Sequence, residues 1–135
     1  MITDVDNLEQ LKFIINSDPR VILVNFFAHW CTPCQLLNPL LLQLEKTYLN
    51  KVLIIRVDID RYPRIADAFS ITAMPTICFF FNKVFWKELT VSGGDIGTIY
   101  MNVSILLTQH NDGLLPMQSA LLYNPKEPLD SYPVN

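Results

Sequence analysis

Two thiols separated by two residues, Cys31 and Cys34 in the run FFAHWCTPCQLLNP (26–39), are the side chains of this chain best suited to chemistry. Such a pair can exchange with disulfides, form half of a metal site, or be two inert thiols that lie close together. A structural zinc site needs four nitrogen or sulfur ligands. Only Cys78, His29 and His110 remain to complete one. Cys78 falls in an apolar strand pattern, His29 is next to the pair in sequence and His110 ends a distant helix, so no metal is expected. Redox exchange suits the local pattern, with an apolar strand before the pair and a helix starting at it. A helix N-terminus carries unsatisfied N–H groups and a partial positive charge, which favour a thiolate. Cys31 would then attack a substrate disulfide, and Cys34, one turn along, would resolve the mixed disulfide. Pro33 stiffens the turn, and Trp30 offers a flat apolar surface beside the nucleophile. His29 is near enough to tune Cys31 electrostatically, but reads first as partly exposed surface. Cys78 reads as a buried core thiol.

The elements that must hold the pair follow from hydrophobic periodicity. Leu8, Leu11, Ile14 and Ile15 repeat at helical spacing, predicting a helix over about 7–17 with Asp6 as its cap and Glu9 completing a capping box. VILVNFFA (21–28) is a near-continuous apolar run, the pattern of a strand buried on both faces, broken only by Asn25. A leucine-rich helix runs from Thr32 to about Asn50, with Pro39 inside it. A second buried strand spans 51–60, where Asp58 and Asp60 read as a solvated loop at its end. A short helix around YPRIADAFS, a third strand at 76–81 and an alternating hairpin strand at 84–91 come next. After the Ser92-Gly93-Gly94 loop, a last helix carries Ile96, Ile99, Tyr100, Val103, Leu106 and Leu107 on one face. The order α β α β α β β α implies an α/β fold, a three-layer α/β/α sandwich on a mixed central sheet.

The chain has 135 residues, half of them hydrophobic, which suits one domain with a real core. Residues 1–110 carry the pattern, and 111–135, with four prolines and one short apolar run (SALLY), form a C-terminal extension that is partly packed or partly disordered. The formal net charge is −3 and no Lys/Arg cluster occurs, so neither nucleic acid nor an anionic membrane is an expected partner. The start MITDVDNLEQ lacks the basic residue and apolar run of a signal peptide, and no apolar stretch approaches the roughly 20 residues of a membrane span. Three cysteines are too few for a disulfide scaffold. A cytoplasmic monomer is the expectation.

The order of elements, WCTPC at the first strand-to-helix turn and AMPT about forty residues later resemble the thioredoxin family over residues 2–110. The resemblance implies a thioredoxin fold and reduction of protein disulfides through Cys31 and Cys34, with no bound cofactor beyond that redox-active pair and with electrons from an NADPH-dependent reductase. It implies a cis Pro75 facing the pair, a Met74 backbone that pairs with the substrate chain, and a groove shaped by Trp30, Thr32, Pro33, Met74, Pro75 and Gly93. Pro39 matches the family's helix-kinking proline. Three positions depart from the pattern. Thr32 stands for a glycine and Gln35 for a basic residue. Asn25 stands where the family has a buried aspartate that moves the proton of the resolving thiol. Asn has nearly the same shape but does not titrate, which implies slower deprotonation of Cys34. Arg56 matches a lysine beside that aspartate; without the partner it would snorkel to solvent. A fainter similarity of FFFNK and NPKEPLDSYP to the thioredoxin-like proteins of the spliceosome keeps a second reading open, a protein-binding adaptor with slow or vestigial redox activity.

Overall fold

The computed structural model of the chain describes residues 3–109 and 121–122. Its centre is three strands that are apolar on both faces: β2 (Val21–Phe27), β3 (Val52–Asp58) and β4 (Thr76–Phe81). Successive side chains of a strand point to opposite faces, and these strands divide accordingly. Ile22, Val24, Phe26, Leu53, Ile55, Val57, Cys78 and Phe80 pack on one side with Leu11 and Ile15 of α1 (Leu8–Ser17) and Ile65 of α3 (Pro63–Ala68). Val21, Leu23, Val52, Ile54, Ile77, Phe79 and Phe81 pack on the other with Leu37, Leu41 and Leu44 of α2 (Thr32–Thr47) and Ile99, Val103 and Leu106 of α4 (Ile96–Gln109). The result is the expected three-layer α/β/α sandwich. Phe79, Phe80 and Phe81 alternate across it, Phe80 on the first side and Phe79 and Phe81 on the second.

The sheet is mixed. Its order is β1-β3-β2-β4-β5-β7, with β6 also on β4, where β1 is Thr3–Asp4, β5 Val84–Phe85, β6 Val91–Ser92 and β7 Leu121–Leu122. β1 and β2 run parallel to β3, and β4 is antiparallel to β2, so Asn25 lies between Arg56 on β3 and Ile77 on β4.

Several boundaries differ from the sequence reading. β1 was not anticipated: two residues are too few to show a period, and only pairing with β3 makes them a strand. The α1 cap is Asn7, not Asp6; Asn7 Oδ1 accepts from the Gln10 N–H at 2.7 Å, and Gln10 rather than Glu9 reaches back, accepting from Asp6 N–H at 3.4 Å. The α2 helix ends at Thr47, before Asn50, whose φ of 68° leaves the helical region. Residues 84–91 are not one hairpin strand. Val84, Phe85 and Trp86 are buried in succession, so no face is left for alternation. The chain leaves the ladder after Phe85, makes a 3₁₀ turn over Lys87–Leu89 and returns to β4 as β6. Trp86 anchors the detour, its backbone N–H donating to Phe79 O at 2.8 Å and its indole N–H to Phe81 O at 3.2 Å. Of the C-terminal extension, Leu121–Leu122 add a strand antiparallel to β5; its other residues and His110 lie outside the described ones.

Adjacent positions of α2 separate core from surface. Leu41 is fully buried and Leu40 is 43% exposed. Leu41→Ala is expected to lower stability by about 3 kcal/mol, from lost burial plus a cavity. Leu40→Ala should stay within about 0.5 kcal/mol. Urea unfolding checks both: the midpoint should fall for Leu41→Ala alone, with the slope unchanged.

Candidate active site

β2 ends at Phe27 and α2 begins at Thr32, so the connection carries Cys31 to the helix N-terminus at the end of the sheet. Cys31 is itself the N-cap of α2: its Sγ accepts from the Cys34 N–H at 3.2 Å. Pro33 lies in the first turn, where its missing N–H leaves no bond unmade. The two sulfurs are joined as a disulfide, with Cα atoms 5.3 Å apart. Both cysteines are buried, in a small cluster with Phe27 and Ala28 against which Met74 packs. A thiolate on Cys31 would have the Cys34 N–H and the helix dipole to stabilise it.

The loop before β4 forms the facing wall. The Met74–Pro75 peptide is cis, and the Met74 carbonyl oxygen lies 3.7 Å from Cys31 Sγ. Thr76 Oγ1 donates to Ala73 O at 2.7 Å and pins the turn. Gly93 comes to the same loop, donating its N–H to Pro75 O at 2.7 Å with φ of 100°, a conformation that favours glycine. Trp30, Thr32 and Pro33 are exposed on the opposite rim. Trp30 is 66% exposed yet held, because its indole N–H donates to Asp60 Oδ2 at 2.7 Å. The structure brings Met74 against Cys31 and Gly93 against Pro75, while Trp30, Thr32 and Pro33 flank the pair at the exposed start of α2.

Behind Cys34 the sheet carries a row of three polar residues. Asn25 on β2, Arg56 on β3 and Asp4 on β1 are register neighbours, on the face toward α2. Asn25 is 1% exposed. Arg56 does not snorkel alone, as the sequence reading expected. It donates to Asp4 through Nε at 2.8 Å and an NH2 group at 3.2 Å, and its guanidinium lies over the Phe27 ring at 4.6 Å. Its partner comes from β1, the strand that periodicity did not reveal.

The loop after β3 is likewise built, not merely solvated. Asp58 Oδ1 accepts from the backbone N–H groups of Asp60 and Arg61 at 3.0 and 3.3 Å, while Oδ2 pairs with His29 Nε2 at 3.1 Å. His29 is further set by an edge contact with Phe27 and by Gln35, whose Nε2 donates to His29 O at 2.8 Å. Asn25, Phe27, Ala28, His29, Cys34, Gln35, Asn38 and Arg56 line a cavity of about 180 Å³ that opens to solvent. Asp58, Asp60 and Asn38 were missed by sequence reasoning. Asn38 alone had a usable signal: it stands four residues after Cys34 on α2, hence on the same face.

No group of three or more His, Cys, Asp or Glu among the described residues is placed to hold a metal, and no helix among them is long and apolar enough to cross a membrane. Cys78 is a free thiol buried in β4, and burial pushes it up to about 12.

Comparison with known proteins adds a family. A family model described as Thioredoxin matches residues 3–96. Thioredoxin Y1, chloroplastic, of Arabidopsis thaliana is 37% identical over 75 residues, 56% of this chain and 42% of that protein. A thioredoxin of Buchnera aphidicola is 38% identical over 82 residues, 61% of this chain and 72% of its own. The chain thus spans under half of the plant relative and most of the bacterial one. Among solved structures, oxidized mitochondrial thioredoxin 3 of Saccharomyces cerevisiae superposes with a TM-score of 0.71 at 26% identity, covering 76% of this chain and 93% of that one. The Malassezia sympodialis thioredoxin gives 0.69 at 30%, covering 76% and 90%.

Two outcomes follow from the titrating groups. A thiol raised to about 12 stays protonated at any ordinary pH. The reduced native protein should therefore release the equivalent of two thiols to an aromatic disulfide at pH 8, and a third only after denaturation. Asp4 is held below the usual carboxylate range, first by its hydrogen bond to Arg56. A lowered folded value means that the pair stabilises the fold above the ordinary carboxylate range and is lost as pH falls through the lowered value. With Asp4 69% exposed, the effect is discounted to about 0.5 kcal/mol. Asp4→Asn should flatten the acid limb of a stability–pH curve by that amount, and leave the shape of its alkaline limb alone.

Proposed function

Because the chain belongs to the thioredoxin family, we propose that it is a thiol-disulfide oxidoreductase that reduces protein disulfides through Cys31 and Cys34. The observation that carries this reading is the double placement of Cys31. Its sulfur caps the helix through the Cys34 N–H and lies 3.7 Å from the Met74 carbonyl oxygen. The attacking sulfur is thus activated by a helix N-terminus and adjoins the backbone along which an extended substrate chain would pair.

The steps balance as follows. The Cys31 thiolate attacks one sulfur of a substrate disulfide; that S–S bond breaks and the departing substrate thiolate takes a proton from water. Cys34 then loses its proton and attacks Cys31 Sγ. The mixed disulfide breaks and the second substrate sulfur leaves as a thiolate, which takes up the equivalent of the proton that Cys34 gave up. The substrate has gained two electrons and two protons, and the protein holds the Cys31–Cys34 disulfide. We assign the return of those electrons to an NADPH-dependent reductase. A monomer working in the cytoplasm goes with this reading as part of the proposal. A second reading, a binding adaptor of the same fold, is favoured by the apolar exposure of α2 beside the site, where Leu36 is 68% exposed.

Dithiol-driven insulin reduction tests the first reading. The native protein should accelerate it and Cys31→Ser should abolish the effect. Cys34→Ser should trap substrate proteins on Cys31 as mixed disulfides that a reductant releases. Native protein without reductase activity, together with partners retained by Cys31→Ser, would establish the adaptor instead.

A further inference from the structure

The second chemical step needs a group to take the Cys34 proton, and the walls of the cavity behind Cys34 narrow the choice. Asn25, Asn38 and Gln35 are carboxamides, which do not accept protons near neutrality. Arg56 is a cation already paired with Asp4. Phe27 and Ala28 are apolar. Among the described residues that line this cavity with Cys34, His29 alone carries an imidazole nitrogen that can accept a proton. Its Nε2 is engaged by Asp58, so Nδ1 is the nitrogen left to accept. The imidazole is 78% exposed, so a proton taken on one side passes to bulk solvent on the other.

Two further features fit a path between Cys34 and His29. Asn25 Oδ1 and Asn38 Oδ1 are buried without a hydrogen-bond donor among the described residues. Both residues line the cavity, Asn38 one turn after Cys34 and Asn25 across from it on β2. A volume of about 180 Å³ exceeds that of a water molecule several times over. Water entering there meets two acceptors that call for donors, beside the thiol that must give up its proton.

We propose that His29, oriented by Asp58, accepts the proton of the resolving Cys34 thiol through water held by the Asn25 and Asn38 carboxamides. Cys34 Sγ–H gives its proton to this water, which passes one to His29 Nδ1. The Cys34 thiolate forms the Sγ–Sγ bond as the mixed disulfide breaks, its electron pair leaving on the substrate sulfur. The imidazolium, stabilised by the Asp58 carboxylate, returns its proton to the leaving thiolate or to solvent. The charged and titratable groups that face His29 are Asp58 and Arg56 of β3, Asp4 of β1, Asp6 after it, Arg61 and Tyr62 of the loop after β3, and Cys34 of α2. Asp58 is the positioning residue, since its other oxygen is fixed by two backbone N–H groups.

This inference rests on the redox reading, and one experiment separates the two. The reduced protein is mixed with 5,5′-dithiobis(2-nitrobenzoate) and release of the thionitrobenzoate anion is followed by stopped flow from pH 5 to 10. The first equivalent reports Cys31 attack and the second reports resolution by Cys34. In the native protein the second step should rise with pH across the imidazole range. In His29→Gln it should slow by at least about tenfold at pH 7, and its rise should move toward the range of a free thiol, about 8.5. Asp58→Asn should give a smaller change of the same kind. Asn25→Asp, placing a titratable group in the same cavity, should restore the second step in the His29→Gln background. A second step with unchanged rate and pH profile in His29→Gln would overturn the assignment, as would a slowing with no change of profile. Failure to release the first equivalent would sink the redox reading itself.

Discussion

The dryness of both faces of β2, β3 and β4 is the constraint on which the rest of this structure depends. Each strand places apolar side chains alternately above and below the sheet, so neither face tolerates water and each needs a helical layer. The α2 helix must therefore lie along the face built by Leu23, Ile54, Ile77 and Phe79, with Leu37, Leu41 and Leu44 turned inward. Once it does, its N-terminus can only stand over the end of the sheet, a short loop beyond Phe27. The reactive pair gains its helix dipole and its partial burial from that packing.

One row of the sheet breaks the apolar rule, and the break lies under the cysteine pair. Asn25, Arg56 and Asp4 are register neighbours across three strands. The guanidinium is only partly buried, and a carboxylate at the sheet edge is enough to pair it. Asp4 supplies that carboxylate and the Phe27 face covers the cation from above. The charge of Arg56 is thus neutralised from outside the cavity, and nothing in the row requires a carboxylate at position 25. An uncharged amide serves the structure there, and His29 meets Asp58 at the outer end of the same pocket.

Legibility in the sequence followed the range of the interactions involved. The long periodic elements were readable because each carries its own burial pattern: α2 in its leucines, β2 in a run interrupted only by Asn25. The cysteine pair was readable because helix-start chemistry is local to a few residues. Short strands were the least legible: Thr3–Asp4 has no period of its own and exists through pairing with β3, and the hairpin strand expected over 84–91 keeps its ladder with β4 only at Val84–Phe85. The roles of Asp58 and Asp60 were hidden for a related reason. Acidic residues after a strand look like a solvated turn until the fold carries Trp30 and His29 to them from about thirty residues away.

By itself, then, the amino-acid sequence determined the fold class, the site of the reactive thiols and the absence of a titrating group at Asn25. These are properties of residue type and of periodicities a few residues long. Only the tertiary structure decided which groups stand around Cys34. It paired Arg56 with Asp4, placed Met74 against Cys31, and set His29, held by Asp58, at the cavity shared with Asn38. The physical reason is that these neighbours are selected by strand register and by helix packing across the sheet, relations between distant segments that no local pattern encodes.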